Sequence, residues 1–443
     1  MSGFAGRRHR AMTASSPSAD GQVPALLLKI GQYPHHSGGV AVIRTLGRLG
    51  VPVYAITEDR LTPSALSRYC AGSFVWRVTW QEDPGHLVGQ LREVGKRLGR
   101  RAVVVPTDDE AAVLIAEYAD ELSEHFIFPR IDPALPRALA SKQRLYELCR
   151  QHDVPAPVSM CPATARELDE FAATASFPVV VKNAEPWARR RAPVVPNTTM
   201  MRTARELLEA ASSRNGKPPG MIVQEYIPRE QAQDWIVHLY CDMNSECVVL
   251  FTGVKLRSWP PHNGPTACAY TMDNPELAGL TERFCKEIGF RGIADLDWRL
   301  DLRDGMYKLV DFNPRVGNQF RLFETEQGID VVRALYLDLT GRGVPHGAVR
   351  AGRRIVVEHI DMIARLAYRG GSGYAAAPPA PPQAITELAW LAKDDLLPFL
   401  AIWPRLVTPL VTTTRNRIRR QRAAKGGSAG GDRGHPALRA GPG

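Results

Sequence analysis

Lysine is scarce in this sequence: ten of the 56 basic residues are Lys and the rest Arg, so the context of each lysine is informative. Cysteine is sparse as well. The seven, at 70, 149, 161, 241, 247, 268 and 285, form no CxxC pair and no ligand spacing with the histidines, which argues against a zinc site or a disulfide framework. The first 22 residues contain Arg and Ser but no apolar core of a secretory signal, so a cytoplasmic location is expected. The most apolar stretch, LLPFLAIWPRLVTPLV, is too short to cross a bilayer and contains Pro398, Pro404, Arg405 and Pro409. The body also lacks an excess of either charge. The net +10 resolves into nine Lys or Arg against Asp432 over residues 405–443, and Arg7, Arg8 and Arg10 against Asp20 over residues 1–22. A nucleic acid or anionic membrane would therefore meet the tail, at residues 405–425 with the run Arg415 to Arg422, as a weak surface contact.

What is present reads as alternating elements. Residues 24–30 form an apolar strand, 37–50 a glycine turn leading into a helix, 51–57 a second strand, 84–98 a helix and 102–106 a third strand. Such alternation implies a parallel sheet covered on both faces, with ligands beyond the strands' C-terminal ends. Gly31, His35, Ser37, Gly38, Gly39, Thr107 and Asp108 would line that crevice. The Ser37–Gly39 turn could hold a substrate carboxylate at its helix N-terminus, or be a tight structural turn. A helix over 139–152 stops at Val-Pro-Ala-Pro. Strand 177–182, helix 203–213 and strand 221–227 then suit a small α+β unit. From 235 the chain is strand-rich, with a helix at 275–288 and a hairpin of strands 292–300 and 306–312.

The hairpin carries the chemistry. Asp295 and Asp297 alternate on one strand, Asp311 and Asn313 on the other, and Pro314-Arg315 follows directly. Hard oxygen ligands at this density suit Mg²⁺ carrying nucleotide phosphates, and Arg315 is placed to clamp a phosphoryl group. The plain alternative is a hairpin with an acidic exposed face.

The surrounding residues favour the first reading, because the sequence resembles the ATP-grasp superfamily of carboxylate-amine ligases over roughly residues 24 to 365. Asp311-Phe-Asn-Pro-Arg315 is similar to the family's acid-x-Asn-Pro-Arg strand, with Asp where Glu is usual. The resemblance implies that Asp297, with Asp295 as competitor, joins Asp311 and Asn313 in holding Mg²⁺, or Mn²⁺ in its place. It implies that Lys142 and Lys182 reach the phosphates of ATP. Gln224, Glu225, Tyr226 and Ile227 resemble the hinge that meets adenine, with Glu225 or Glu230 on the ribose. Lys255 and Arg257 stand where relatives place cations near the acyl group, and His262 is a lesser candidate for accepting the amine's proton. One departure is clear: the loop NAEPWARRRAPVVPN has no glycine where many relatives carry a glycine-rich flap over the phosphates, so Arg189, Arg190 and Arg191 are candidates to replace it.

The implied architecture is α/β and α+β: an N-terminal Rossmann-like parallel α/β domain at 23–135, then a two-lobed ATP-grasp module at 136–365. The small lobe spans about 155–226 and the large lobe about 227–365. Residues 1–22 and 423–443 read as disordered tails, 366–383 as a linker and 384–422 as an amphipathic helical extension. The D-aspartate ligase-like branch is the most similar and implies amino-acid substrates: the carboxylate of one, such as a Glu or Asp side chain, joined to the amine of another. Specialised-metabolite or cell-wall pathways often use such ligases. A bicarbonate-using carboxylase of the same superfamily is the rival enzyme. The oligomeric state is open, a dimer being plausible.

Overall fold

The structure, a computed structural model, describes residues 23–406 apart from 34, 79–81, 185–194, 196–197, 213–219, 262–263, 369–377, 379–381 and 383–384. Arg189, Arg190, Arg191, His262, both tails and the basic run at 415–422 therefore lie outside the described residues.

Strands β1 (Ala25–Leu28), β2 (Val53–Thr57), β3 (Cys70–Val75), β4 (Ala102–Pro106) and β5 (Phe126–Ile127) form an all-parallel sheet in the order β3-β2-β1-β4-β5. β1 and β4 are apolar throughout because helices and a second layer cover both faces. β3, an edge strand of sequence CAGSFV, alternates half-buried and exposed residues, so it offers no continuous apolar run to read. Sequence order reverses at β1, flanked by β2 and β4, the place where open parallel sheets generally leave a crevice beyond their strand ends.

A second, antiparallel sheet joins β6 (Ser159–Met160), β7 (Val179–Asn183), β8 (Thr199–Met201) and β9 (Met221–Glu225) in the order β6-β9-β7-β8. With the helix Ala165–Thr174 it builds its own small core around Leu168, Val179, Val181, Leu207 and Val223. The third sheet holds β10 (Ala232–Cys241), β11 (Cys247–Ser258), β12 (Thr266–Thr271), β13 (Gly292–Asp301), β14 (Met306–Asn313), β15 (Arg353–Val356) and β16 (Ile385–Leu388). Its order is β14-β13-β10-β11-β12-β15-β16, antiparallel except for the β15–β16 pair.

Three differences from the sequence reading matter. The boundary expected at 135/136 does not separate two cores, because Leu27, Ile43 and Val53 pack in one cluster with Ile236, Phe251, Phe323 and Leu335. The helix expected over 139–152 is broken at Ser141 into Leu135–Ala140 and Lys142–Gln151; Ser141 is extended and its hydroxyl accepts from Arg144 N, as a helix cap does. The extension expected to be helical from 384 opens as strand β16 and becomes helical over 397–406. Among the described residues no helix is long and apolar enough to cross a membrane.

Candidate active site

The β13–β14 register sets Asp297 opposite Asp311 and Asp295 opposite Asn313. Alternation sends Trp298 and Phe312 into the apolar core, and the register slip between Asp297 and Trp298, with Val310 the extra residue, brings Leu309 to the same core while the acids lie on the other face. Adjacent β10 brings His238 opposite Asp295, and β11 adds Lys255. Two lysines come from other elements. Lys142 is the first residue of its helix and its ammonium bonds Asp311, while Lys182 on β7 donates to Gln224 Oε1 at 3.0 Å. Lys142 thus adds its charge to a helix N-terminus, a combination suited to phosphate.

The carboxylates divide by partner. Asp295 is held by Arg315 Nη1 at 2.8 Å and Gln319 Nε2 at 3.3 Å. His238 Nε2 lies 3.1 Å from Asp295 Oδ1 but out of line for a hydrogen bond, so that contact is electrostatic. Burial opposes ionisation of Asp295, but His238 and Arg315 outweigh it and hold the carboxyl below the ordinary range. Asp297 pairs with Lys255 Nζ at 2.7 Å. Burial still pushes its carboxyl up, with repulsion from Asp295 and Asp311 opposing the pull of Lys255. For Asp311, burial is more than offset by Lys142 and then Lys182 and Arg315, so its carboxyl is lowered. Arg315 also approaches Asp109 of the N-terminal domain, Nε to Oδ1 3.5 Å, and clasps the two units together.

Asp295 is therefore engaged in fixing Arg315, whereas Asp297 and Asp311 are each paired with a lysine. Among the described residues no three His, Cys, Asp or Glu side chains form a metal-holding cluster. Two opposed carboxylates and the Asn313 amide oxygen, whose Nδ2 donates to Asp295 O at 3.0 Å, fit an ion that takes its remaining ligands from phosphate and water, as Mg²⁺ does.

Beside these charges lies a narrow cleft between the helix Lys142–Gln151, β7, β9 and β14. Leu145, Tyr146, Ala156, Ile222 and Leu309 give it apolar walls, and Lys142, Lys182 and Gln224 a polar edge. Tyr226 and Ile227 follow β9 and pair with no neighbouring strand. Of the two ribose candidates, Glu225 is committed elsewhere: it accepts from Val158 N at 3.0 Å, Lys308 at 3.2 Å and Arg303 at 3.0 Å. Glu230 is exposed, its nearest cation Arg229 at 3.9 Å.

The structure does not bring Arg257 to this group. Its Nε bonds Asp361 Oδ1 at 2.7 Å on the helix Glu358–Tyr368, and a register shift separates it from Lys255. In the glycine turn, Gly38 N donates to Asn318 Oδ1 at 3.0 Å and Gly39 N to His36 Nδ1 at 3.0 Å. Those amides are spoken for, so the turn is structural here. His36 itself is half-buried, and desolvation, Lys29 and Arg315 depress its imidazole to about 3. His238, Gln319 and Asp109 were not singled out from the sequence. Only Asp109, next to Thr107-Asp108 at a strand end, carried a positional signal.

The architecture is that of the ATP-grasp fold, in which a small antiparallel lobe faces a larger sheet across a cleft. In sequence the chain is similar to the D-aspartate ligase of Enterococcus faecium (strain Aus0004), 26% identical over 294 residues that cover 63% of this chain and 68% of that protein. No protein-family model matches. Among solved structures, the L-amino acid ligase of Bacillus licheniformis superposes with a TM-score of 0.56 at 17% identity, covering 75% of this chain and 79% of that one. N5-carboxyaminoimidazole synthetase of Staphylococcus aureus, solved with ADP, superposes with a TM-score of 0.56 at 11% identity, covering 76% and 81%.

Proposed function

We propose that this chain uses ATP to activate an amino-acid carboxylate and couple it to the amine of another amino acid. The observation that carries this is the convergence of Asp297 and Asp311, opposed in register, with Lys142, Lys182 and Arg315 beside an apolar cleft. The similarity to a D-aspartate ligase supports amino acids as the substrate class.

In this reading adenine lies against Leu145, Tyr146 and Ile222, its edge meets the backbone of Tyr226 and Ile227, and Glu230 reaches the ribose. Lys142 and Lys182 hold phosphate oxygens, as point charges do. Mg²⁺ held by Asp297, Asp311 and Asn313 would neutralise phosphate charge. An oxygen of the carboxylate attacks the γ-phosphorus, the bond to the β-phosphate oxygen breaks, and ADP leaves an acyl phosphate. Arg315, aimed by Asp295 and Asp109, bears on the transferring group; Lys255 stands near the acyl oxygen, and Arg257 would join it only by leaving Asp361. The amine nitrogen then attacks the acyl carbon, the carbon–oxygen bond to phosphate breaks, and the nitrogen loses a proton. Catalysis by positioning and charge needs no protein nucleophile.

The test is ADP release from purified protein against pairs of amino acids, with mass spectrometry of the products. An amide product is expected, with Asp311→Ala lowering the rate about a hundredfold or more. Amino-acid-dependent release that survives Asp311→Ala unchanged refutes the reading, and release dependent on bicarbonate instead would favour a carboxylase.

A further inference from the structure

A second, narrow crevice runs along the helix Ser37–Gly47. Ser37, Arg44 and Arg48 line it at spacings that keep one helical face, over a length of about 16 Å. Asn318, Arg321 and the β16 residue Glu387 form the facing wall. The Ser37 end abuts the reaction centre, since Asn318 bonds Gly38 and its neighbour Gln319 bonds the Asp295 that holds Arg315.

The charges of this groove are unequally satisfied. Arg44 is buried and consumed by Asp395, with Nε to Oδ2 at 2.9 Å and Nη2 to the carbonyl oxygens of Trp390 and Asp395. Arg321 bonds Asp330 at 2.6 Å and Glu324 at 3.3 Å. Arg48 grips Asp394 through two 2.9 Å bonds but remains partly exposed. Glu387 is the exception. Its oxygens form only longer ion pairs, 3.7 Å from Arg321 and 3.5 Å from Arg353, and no described residue is hydrogen-bonded to them. A carboxylate with open acceptor sites in the same groove as the partly exposed guanidinium of Arg48 offers one place for an ammonium and one for a carboxylate. It matches a zwitterion.

We propose that this groove binds a free amino acid, its ammonium donating to Glu387 and its carboxylate drawn to the guanidinium side at Arg321 and Arg48. That the bound amino acid is a substrate rests on the ligase reading; the binding does not. Because Glu387 lies on β16, the segment after the linker completes the site.

Calorimetric titration of the full chain with the twenty amino acids in both enantiomers, and then with the N-acetyl form of each binder, tests this. At least one amino acid binds, and N-acetylation weakens it about tenfold or more, the loss expected for a charged hydrogen bond. Glu387→Gln weakens the free amino acid by a similar factor, removes most of the N-acetylation penalty and leaves ADP affinity unchanged, which also shows that the variant is folded. No binding by any amino acid, or binding indifferent to both N-acetylation and Glu387→Gln, overturns the proposal. ADP release with an amino-acid KM unaltered in Glu387→Gln would sink the groove and leave the ligase standing. Binding without ADP release from any pair would do the reverse.

Discussion

Lys182 brings its ammonium into a site where Lys142 already stands, and burial together with that neighbour depresses it to about 8. The direction fixes a pH dependence. Below about 8 the group is charged and attracts phosphate; above it the free enzyme loses that charge, so apparent ATP affinity should fall by up to about tenfold per pH unit until the complex's own, higher pKa takes over. Steady-state KM for ATP between pH 7 and 9.5 shows this limb, and Lys182→Arg, which stays protonated, should flatten it. A flat wild-type profile removes Lys182 from the phosphates. At this scale much of the site was legible, because Asp297, Asp311, Asn313 and Arg315 belong to one local hairpin pattern, and Lys142 and Lys182 stand out in a lysine-poor chain. What was not legible is where a long side chain turns for its partner. Glu225 is claimed by Arg303 and Lys308 and Arg257 by Asp361, choices made by packing between segments distant in sequence.

The segment 385–406 was the element least legible in sequence. Its apolar residues suggested an amphipathic helix, yet Ile385–Leu388 extends the large sheet because β15 presents an open edge to it. Downstream, Trp390 packs with Val40, Val357 and Ile402, and Asp395 accepts from Arg44, Ser67 Oγ and Arg68 N. One end of the segment therefore belongs to the large sheet and the other to the N-terminal domain. The Arg44 and Asp395 side chains are 5% and 1% exposed, so removing the acid strands a buried cation. Asp395→Ala should cost about 3–5 kcal/mol, against about 0–1 kcal/mol for removing an exposed pair such as Arg166–Glu170. Urea unfolding of the two variants measures both; equal losses would show that the segment is only laid on the surface.

At the scale of the molecule, the parallel sheet and the large sheet were expected as successive domains but share one core through the helix Val331–Leu339. The periodicity of each was readable, whereas contact between their faces was not, since nothing local in Leu27 or Ile43 names Phe251 or Leu335 as its neighbour. The small lobe is built differently. Its core of Leu168, Val181 and Val223 is self-contained, and its links to the rest include single backbone bonds, Lys142 N to Ala184 O at 3.0 Å and Leu309 N to Pro155 O at 2.8 Å, and the ion cluster at Glu225. A unit with its own core and few ties can open locally while the shared core stays closed. Amide exchange should therefore be faster in β7 and β9 than in β1, β4, β10 and β13, which should exchange together in the slowest class. In the proposed reading ADP with Mg²⁺ would be held by Lys182 on β7, Lys142 and the β13–β14 acids, so it should slow exchange in β7, β9 and the helix Lys142–Gln151 selectively. Hydrogen exchange read by mass spectrometry, with and without ADP and Mg²⁺, tests both parts. If β1 and β4 exchange independently of β10 and β13, the shared core is wrong; if protection by nucleotide is uniform or falls outside the small lobe and that helix, the cleft is not where the nucleotide binds.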